Sequence, residues 1–179
     1  MFPIRQANVE DLPFIIRIDL EDEGTTASMA GNKSAEELDE HRKSMASFLA
    51  SAEKGAFLCD APFSHHPIGL MMFRIRNRDL VPEYSILRQI DRSLFPDQGQ
   101  LVEVFRLWVD RNYRKRGIAT LLKRRLEQEA KRRGVPVIYS YTEAANIAVI
   151  QMNQKLEYNE VWRGPIWDGV VRVAFVKHL

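Results

Sequence analysis

Arg114, Gly117 and Ala119 stand at the spacing Arg-x-x-Gly-x-Ala, directly after the apolar run Leu101 to Val109 and directly before a basic amphipathic segment. Residue types in this order predict a strand, a tight loop and a helix. Glycine at 117 lets the backbone approach a ligand with no Cβ in the way. The helix that starts there presents N–H groups without intrahelical partners and the positive end of its dipole. Such a turn binds anions, phosphates above all. Arg114 and Arg116 bring guanidiniums that pair with phosphate oxygens, and Lys115 brings a mobile point charge. The chemistry these residues point to is retention of a nucleotide or another phosphorylated cofactor.

The other reactive side chains are less suggestive. Cys59, the lone cysteine, lies in the apolar run Phe57-Leu58-Cys59, where a buried, inert thiol is expected; a reducing cytoplasm fits a chain that has no cysteine pair to oxidise. His65 and His66 are adjacent beside Pro67 in a turn, without carboxylate or cysteine neighbours, so no metal site is expected. His41 falls on the inner stripe of a helix and reads as a packed histidine. Asp19, Glu21, Asp22 and Glu23 crowd a helix end, where the dipole disfavours acids. They read as a solvated loop.

The chain has 179 residues, 45% hydrophobic and 28% charged, enough to bury a core as one domain over residues 1–179. Its net charge of +2 conceals an asymmetry: residues 1–100 hold 11 basic against 16 acidic side chains, and residues 101–179 hold 15 against 8. A basic half suits a polyanionic cofactor, and an acidic half a cationic substrate. No apolar run reaches membrane-spanning length, and no leader is expected at Met1-Phe2-Pro3-Ile4-Arg5.

The elements that must carry these residues follow from periodicity and caps. Ile4 to Ala7 predicts a first strand, with Asn8 capping a helix that carries Leu12, Ile15, Ile16 and Leu20. Ser34 and Glu37 form a capping box for a second helix. Gly55 to Ala61 and Pro67 to Arg76 predict a hairpin, and residues 77–100 an insertion with a short helix, a candidate substrate lid or homodimer contact. In the helix after Gly117, the inner face is expected to be Ile118, Leu121, Leu122, Leu126 and Ala130, with Lys123, Arg124, Lys131 and Arg132 solvated rather than bound to nucleic acid. Val135 to Tyr141 gives the next strand, Asn146 caps a last helix, and two strands flank the Asp168-Gly169 turn.

Three stretches resemble the GCN5-related N-acetyltransferases (GNAT). Arg114-x-x-Gly117-x-Ala119 after Leu-Trp-Val-Asp is similar to that family's acyl-CoA signature, Gln or Arg, x, x, Gly, x, Gly or Ala. Ile4-Arg5-x-Ala7-x-x-Glu10-Asp11-Leu12-Pro13-x-Ile15 is similar to how many members begin. Asn146-Ile-Ala-Val-Ile-Gln-Met-Asn153-Gln-Lys155-Leu156-Glu157-Tyr158 is similar to Asn-x-x-Ala-x-x-Leu-Tyr-x-Lys-Leu-Gly-Phe. Glu157 replaces the glycine, and Asn153 stands where many members have a tyrosine proposed as general acid.

The resemblance implies an α/β fold: a mixed, mostly antiparallel central sheet with splayed parallel central strands, flanked by helices. It implies acetyl-CoA as cosubstrate and a primary amine of a small molecule or peptide as acceptor. Backbone groups at Leu107 and Val109 would align the pantetheine. Arg114, Lys115, Arg116, Gly117, Ile118, Ala119 and Thr120 would hold the pyrophosphate, with Asn146 and Asn153 as further cofactor contacts. Glu103, upstream on the same strand, is the implied general base, against the plainer reading that it pairs with Arg106. Tyr158, Tyr139 or Tyr141 would serve as acid if a tyrosine replaces the one missing at 153. The alternative is a non-catalytic CoA-binding module.

Overall fold

Strand and helix signals alternate along this chain because apolar residues change period from two to about 3.6 at each capping residue or turn. A computed structural model describes residues 2–22, 34–166 and 168–179, without the side chains of Glu21 and Asp22. Its strands are β1 (Ile4–Gln6), β2 (Lys54–Asp60), β3 (Pro67–Asn77), β4 (Gln100–Val109), β5 (Val137–Glu143), β6 (Asn159–Pro165) and β7 (Val171–His178). Its helices are α1 (Leu12–Asp22), α2 (Ala35–Ala50), α3 (Ile86–Gln89), α4 (Ile118–Arg132) and α5 (Ile147–Lys155). The strands form one mixed sheet in the order β1-β2-β3-β4-β5-β7-β6. Residue contacts divide the chain into two compact units, 1–72 with 106–122, and 73–105 with 123–179.

In the first unit, β1 pairs antiparallel with β2, Ile4 opposite Cys59 and Gln6 opposite Phe57. Arg5 locks this pair to the turn before α1: its guanidinium donates to both oxygens of Asp11 at 2.8 Å and to Asp60 at 2.8 Å. Asn8 is the cap the sequence predicts, accepting from the Glu10 N–H, while the Asp11 carboxylate accepts from the Asn8 N–H. Ile15 and Ile18 of α1 are fully buried, and Met45 and Phe48 of α2 are buried. Gly69 on β3 admits the first turns of α4, since a Cβ there would lie 2.8 Å from Ile118 Cγ2 and 3.2 Å from Leu122. That close approach sets where the turn at Gly117 sits on the sheet.

The acidic cluster expected after α1 is represented in the described side chains by Asp19 alone. Asp19 is buried and paired, at 2.6 Å with Arg106 and at 3.3 Å with His41. It therefore packs a core ion pair, and His41 is the packed histidine the helical stripe implied.

The second unit is built on β5 and β7, antiparallel from Val137 opposite His178 to Glu143 opposite Arg172, with β6 on the far edge of β7. The insertion at 77–100 is part of this core. Val81, Ile86, Leu87, Ile90 and Phe95 are buried together with Leu101, Val137, Tyr139, Ala174 and Val176. Arg92 knits the segment, donating to Asp79 twice at 3.0 Å and to the carbonyls of Phe95, Pro96 and Asp97 at 2.8 to 3.0 Å. A segment tied this way is a fixed wall.

In α4 the solvated face is drawn differently from the expectation. Leu121 is 37% exposed whereas Lys123 is 1% exposed. Burial follows Ile118, Leu122, Leu126 and Ala130 at four-residue steps, and Lys123 and Glu129 are buried on either side of that row. The helix closes with two reversed bonds, Gly134 N–H to Lys131 and Val135 N–H to Ala130, and Gly134 takes φ +68°.

Candidate active site

The end of β4 and the start of α4, both in the first unit, form the predicted anion-binding turn. Asp110 donates its N–H to the Ile68 carbonyl, and its carboxylate caps a short turn by accepting from the Asn112 N–H. Lys115 and Gly117 take left-handed φ values of +61° and +80°. This brings the chain into α4 with the N–H groups of Arg116 to Thr120 lacking any acceptor among the described residues. Apart from its chain neighbours, no atom of the described residues lies within 4 Å of where a Gly117 Cβ would be. Its glycine thus answers to backbone conformation, and the space over it is open.

Around that turn, Arg114, Lys115 and Arg116 are exposed and Ile118 is buried beneath it, with Ala119 and Thr120 half-buried. Arg114 Nε donates to the Val109 carbonyl at 3.1 Å, and the Arg116 guanidinium stacks on Tyr113 at 5.3 Å. Leu107 and Val109 are half-buried on β4. The residues that could take a pyrophosphate are thereby gathered on one turn.

The second unit holds a cavity of about 200 Å³ lined by Arg74, Arg76, Glu103, Tyr139, Tyr141 and, from the 77–100 segment, Pro82, Tyr84, Ser85 and Ile86. Glu103 is its centre. Arg74 Nε donates to Glu103 Oε2 at 2.5 Å and Arg76 Nη1 to the same oxygen at 3.0 Å, while Oε1 forms no hydrogen bond among the described residues. Glu103 pairs with Arg74 and Arg76, and Arg106 with Asp19; residues three apart on a strand face opposite sides of the sheet. Parallel pairing of β4 with β5 is confined to Val102 with Ile138 and Glu103 with Tyr139. Beyond Tyr139, β5 continues its antiparallel pairing with β7 as far as Glu143 opposite Arg172.

Tyr139 is buried and its hydroxyl is pushed well above the ordinary tyrosine range, first by burial and then by the Glu103 carboxylate and Tyr141, with Arg76 opposing. Tyr141, stacked obliquely on Tyr139 with centroids 6.0 Å apart, is 43% exposed.

Asn153 and Tyr158 lie elsewhere in the same unit and do not line this cavity. Asn146 caps α5 by accepting from the Val149 N–H at 3.4 Å. Asn153 is fully buried, and neither its side-chain oxygen nor its nitrogen has a hydrogen-bond partner among the described residues. An orphaned buried amide is costly and fits a ligand that supplies the missing donor and acceptor. Tyr158 is also buried, with the ammonium of Lys123 4.0 Å from its ring centre and that of Lys177 at 5.4 Å. Burial and Glu127 raise its pKa far above that of free tyrosine.

Sequence reasoning missed Arg74 and Arg76. Their signal was the two-residue spacing at the end of an apolar strand, which puts both on one face.

The chain belongs to the acetyltransferase (GNAT) family, whose sequence model matches residues 17–158. Its fold is that of Arabidopsis thaliana NAA60 in complex with acetyl-CoA, with a TM-score of 0.68 at 20% identity over 100% of this chain and 99% of the other. It is equally similar to an N-acetyltransferase from Staphylococcus aureus Mu50, with a TM-score of 0.70 at 19% identity over 99% and 98% of the two chains. A ribosomal-protein-alanine N-acetyltransferase from Brucella melitensis gives 0.70 at 18% identity over 99% of each. No curated protein sequence matches the chain.

Proposed function

We propose that this chain is an acyl-CoA-dependent N-acetyltransferase that moves the acetyl group of acetyl-CoA directly to a primary amine of a small molecule or peptide. The observation that carries the reading is the run of unpartnered N–H groups from Arg116 to Thr120 behind Gly117 at φ +80°. Acetyl-CoA supplies an activated thioester and a tolerable leaving group. Arg114, Lys115 and Arg116 add cationic charge for its phosphates, and the Asn153 amide offers both a donor and an acceptor to the cofactor. Leu107 and Val109 are assigned the backbone contacts that align the acyl arm. A reducing, cytoplasmic setting belongs to the same reading.

Glu103 is assigned the acceptor's proton. Its Oε1 is open for an ammonium or a relaying water, and Arg74 and Arg76 hold Oε2, which keeps the carboxylate oriented. Nitrogen then bonds to the thioester carbon, the carbon–sulfur bond breaks, and the thiolate departs. Tyr158 is assigned a packing role here, because a hydroxyl raised in pKa by burial is a poorer proton donor. The thiolate leaves without it.

Asn153, which has no acidic proton, favours a second reading as a CoA-binding module without turnover. Calorimetry of acetyl-CoA with the unmodified chain and with Gly117→Asp tests the first step, followed by CoA release with a panel of amines. Binding lost in a folded variant, together with turnover, supports transfer. Binding without turnover of any amine supports the module, and no binding removes both.

A further inference from the structure

The cavity around Glu103 contains more positive charge than its own chemistry uses. Its wall holds two guanidiniums and one carboxylate, with Pro82, Tyr84, Ser85, Ile86, Tyr139 and Tyr141 completing the lining. Each guanidinium has five N–H donors. Arg74 commits Nε and Arg76 commits Nη1 to Glu103, and the remaining nitrogens form no hydrogen bond among the described residues. The two side chains are 30% and 27% exposed, so they are open at the cavity wall and partly withdrawn from water. The Arg74 guanidinium stacks on Phe105 at 5.0 Å, which fixes the plane of its fork.

An acceptor with only an ammonium group would meet a net positive wall. An acceptor with an ammonium and a nearby anion would satisfy both parts: the nitrogen at Glu103 Oε1, the anion on the free guanidinium donors. A cavity of about 200 Å³ suits the head of an amino acid or of a peptide better than a drug-sized molecule.

We propose that the acceptor is an amine bearing a carboxylate close to its nitrogen, and that Arg74 and Arg76 are the specificity-determining residues that seat this carboxylate. The proposal rests on the transfer reading for the identity of the amine, and on the cavity alone for the anion.

The test uses the full chain. In the first arm, kcat/KM is measured for alanine against alaninamide and, as the peptide source of the same chemistry, for amidated Ala-Asp-Ala against Ala-Asn-Ala. The pairs are run with the unmodified enzyme, Arg76→Gln, Arg74→Gln and Arg76→Lys. The preference for the carboxylate member is expected to fall at least about tenfold in either glutamine variant and less in Arg76→Lys. Comparing ratios between enzymes cancels each amine's own basicity. A ratio unmoved in folded variants overturns the proposal, and which pair shows the preference distinguishes a free amino acid from an acidic peptide.

The second arm needs no variant and no turnover. Calorimetry, with and without CoA, compares N-acetylalanine with N-acetylalaninamide, and the N-acetyl derivatives of phenylalanine and glutamate with their amides. Binding at least about tenfold tighter for carboxylates is expected. Equal or weaker binding overturns the carboxylate seat. Preferential binding with no turnover of any amine leaves the seat standing and removes the transfer reading; turnover without preference does the reverse.

Discussion

The ammonium of Lys123 lies 4.0 Å from the centre of the Tyr158 ring, with no hydrogen-bond partner among the described residues and both side chains buried. Glu127 and Lys177, joined at 3.0 Å, are the charged groups facing the pair. Burial pushes the Lys123 pKa down to about 7, with Glu127 resisting and Lys177 adding to the fall. A charged lysine here is therefore poorly solvated, and the cation–π contact offsets only part of that cost.

The sign of its effect on stability follows from linkage. Between a folded pKa of about 7 and an ordinary value of 10.5, the unfolded chain binds the proton and the folded chain does not. Stability therefore rises with pH across that window, at up to about 1.4 kcal/mol per unit from this group. Tyr158, raised in the folded state, opposes the trend above about pH 10. Urea unfolding at pH 6, 7.5 and 9 should show Lys123→Met more stable than the unmodified chain at pH 6, with the difference shrinking by pH 9. A difference independent of pH would show that Lys123 keeps its charge in the fold.

Glu157 stands at φ +63°, a left-handed conformation that costs a residue with a Cβ roughly 1–2 kcal/mol. Glu157→Gly removes that strain while adding freedom to the unfolded chain. A net gain of about 0.5–1 kcal/mol is expected, read as a higher Tm. Loss of stability would mean that the carboxylate contributes more than the backbone suffers.

Arg92 makes five hydrogen bonds within the 77–100 segment, two to a carboxylate and three to carbonyls. Arg92→Ala removes these bonds, leaving the Pro96 carbonyl only the Gly99 N–H, and loosens the wall that carries Pro82 to Ile86. We expect a loss of about 1–3 kcal/mol in denaturant unfolding, moderated by the partial exposure of the side chain. Hydrogen exchange should place the added opening in residues 78–99.

Gly117 has two separable properties, conformation and open space. Gly117→Ala meets no atom of the described residues within 4 Å beyond its chain neighbours, so its cost is the left-handed backbone, roughly 1 kcal/mol. Gly117→Asp adds a charge where phosphates are proposed to sit. Both variants should fold, and acetyl-CoA affinity should fall more in the aspartate variant.

Glu103→Gln keeps the shape of the cavity and removes the charge that faces Arg74 and Arg76. A fall of at least about a hundredfold in kcat with an altered pH–rate profile is expected of a general base. An unchanged profile would reduce Glu103 to an anchor for the two arginines.

Local chemistry was legible in the amino-acid sequence by itself. Asn8, Ser34 and Asn146 cap helices because their short polar side chains reach the backbone two or three residues on, and Gly117 and Gly134 mark left-handed turns because they lack a Cβ. The motif pattern also pointed to the family and to the mixed sheet. Tertiary structure decided the partners. Glu103 meets arginines 27 and 29 residues earlier, Asp19 meets Arg106, and Lys123 meets Tyr158, pairings that depend on strand register and helix docking. Lys123 shows the difference most directly: a lysine in a helix row reads as solvated, and only the packing of its neighbours puts it inside. Spacing along the chain determines which face a residue occupies, whereas the charge opposite that face is set by segments far away in sequence.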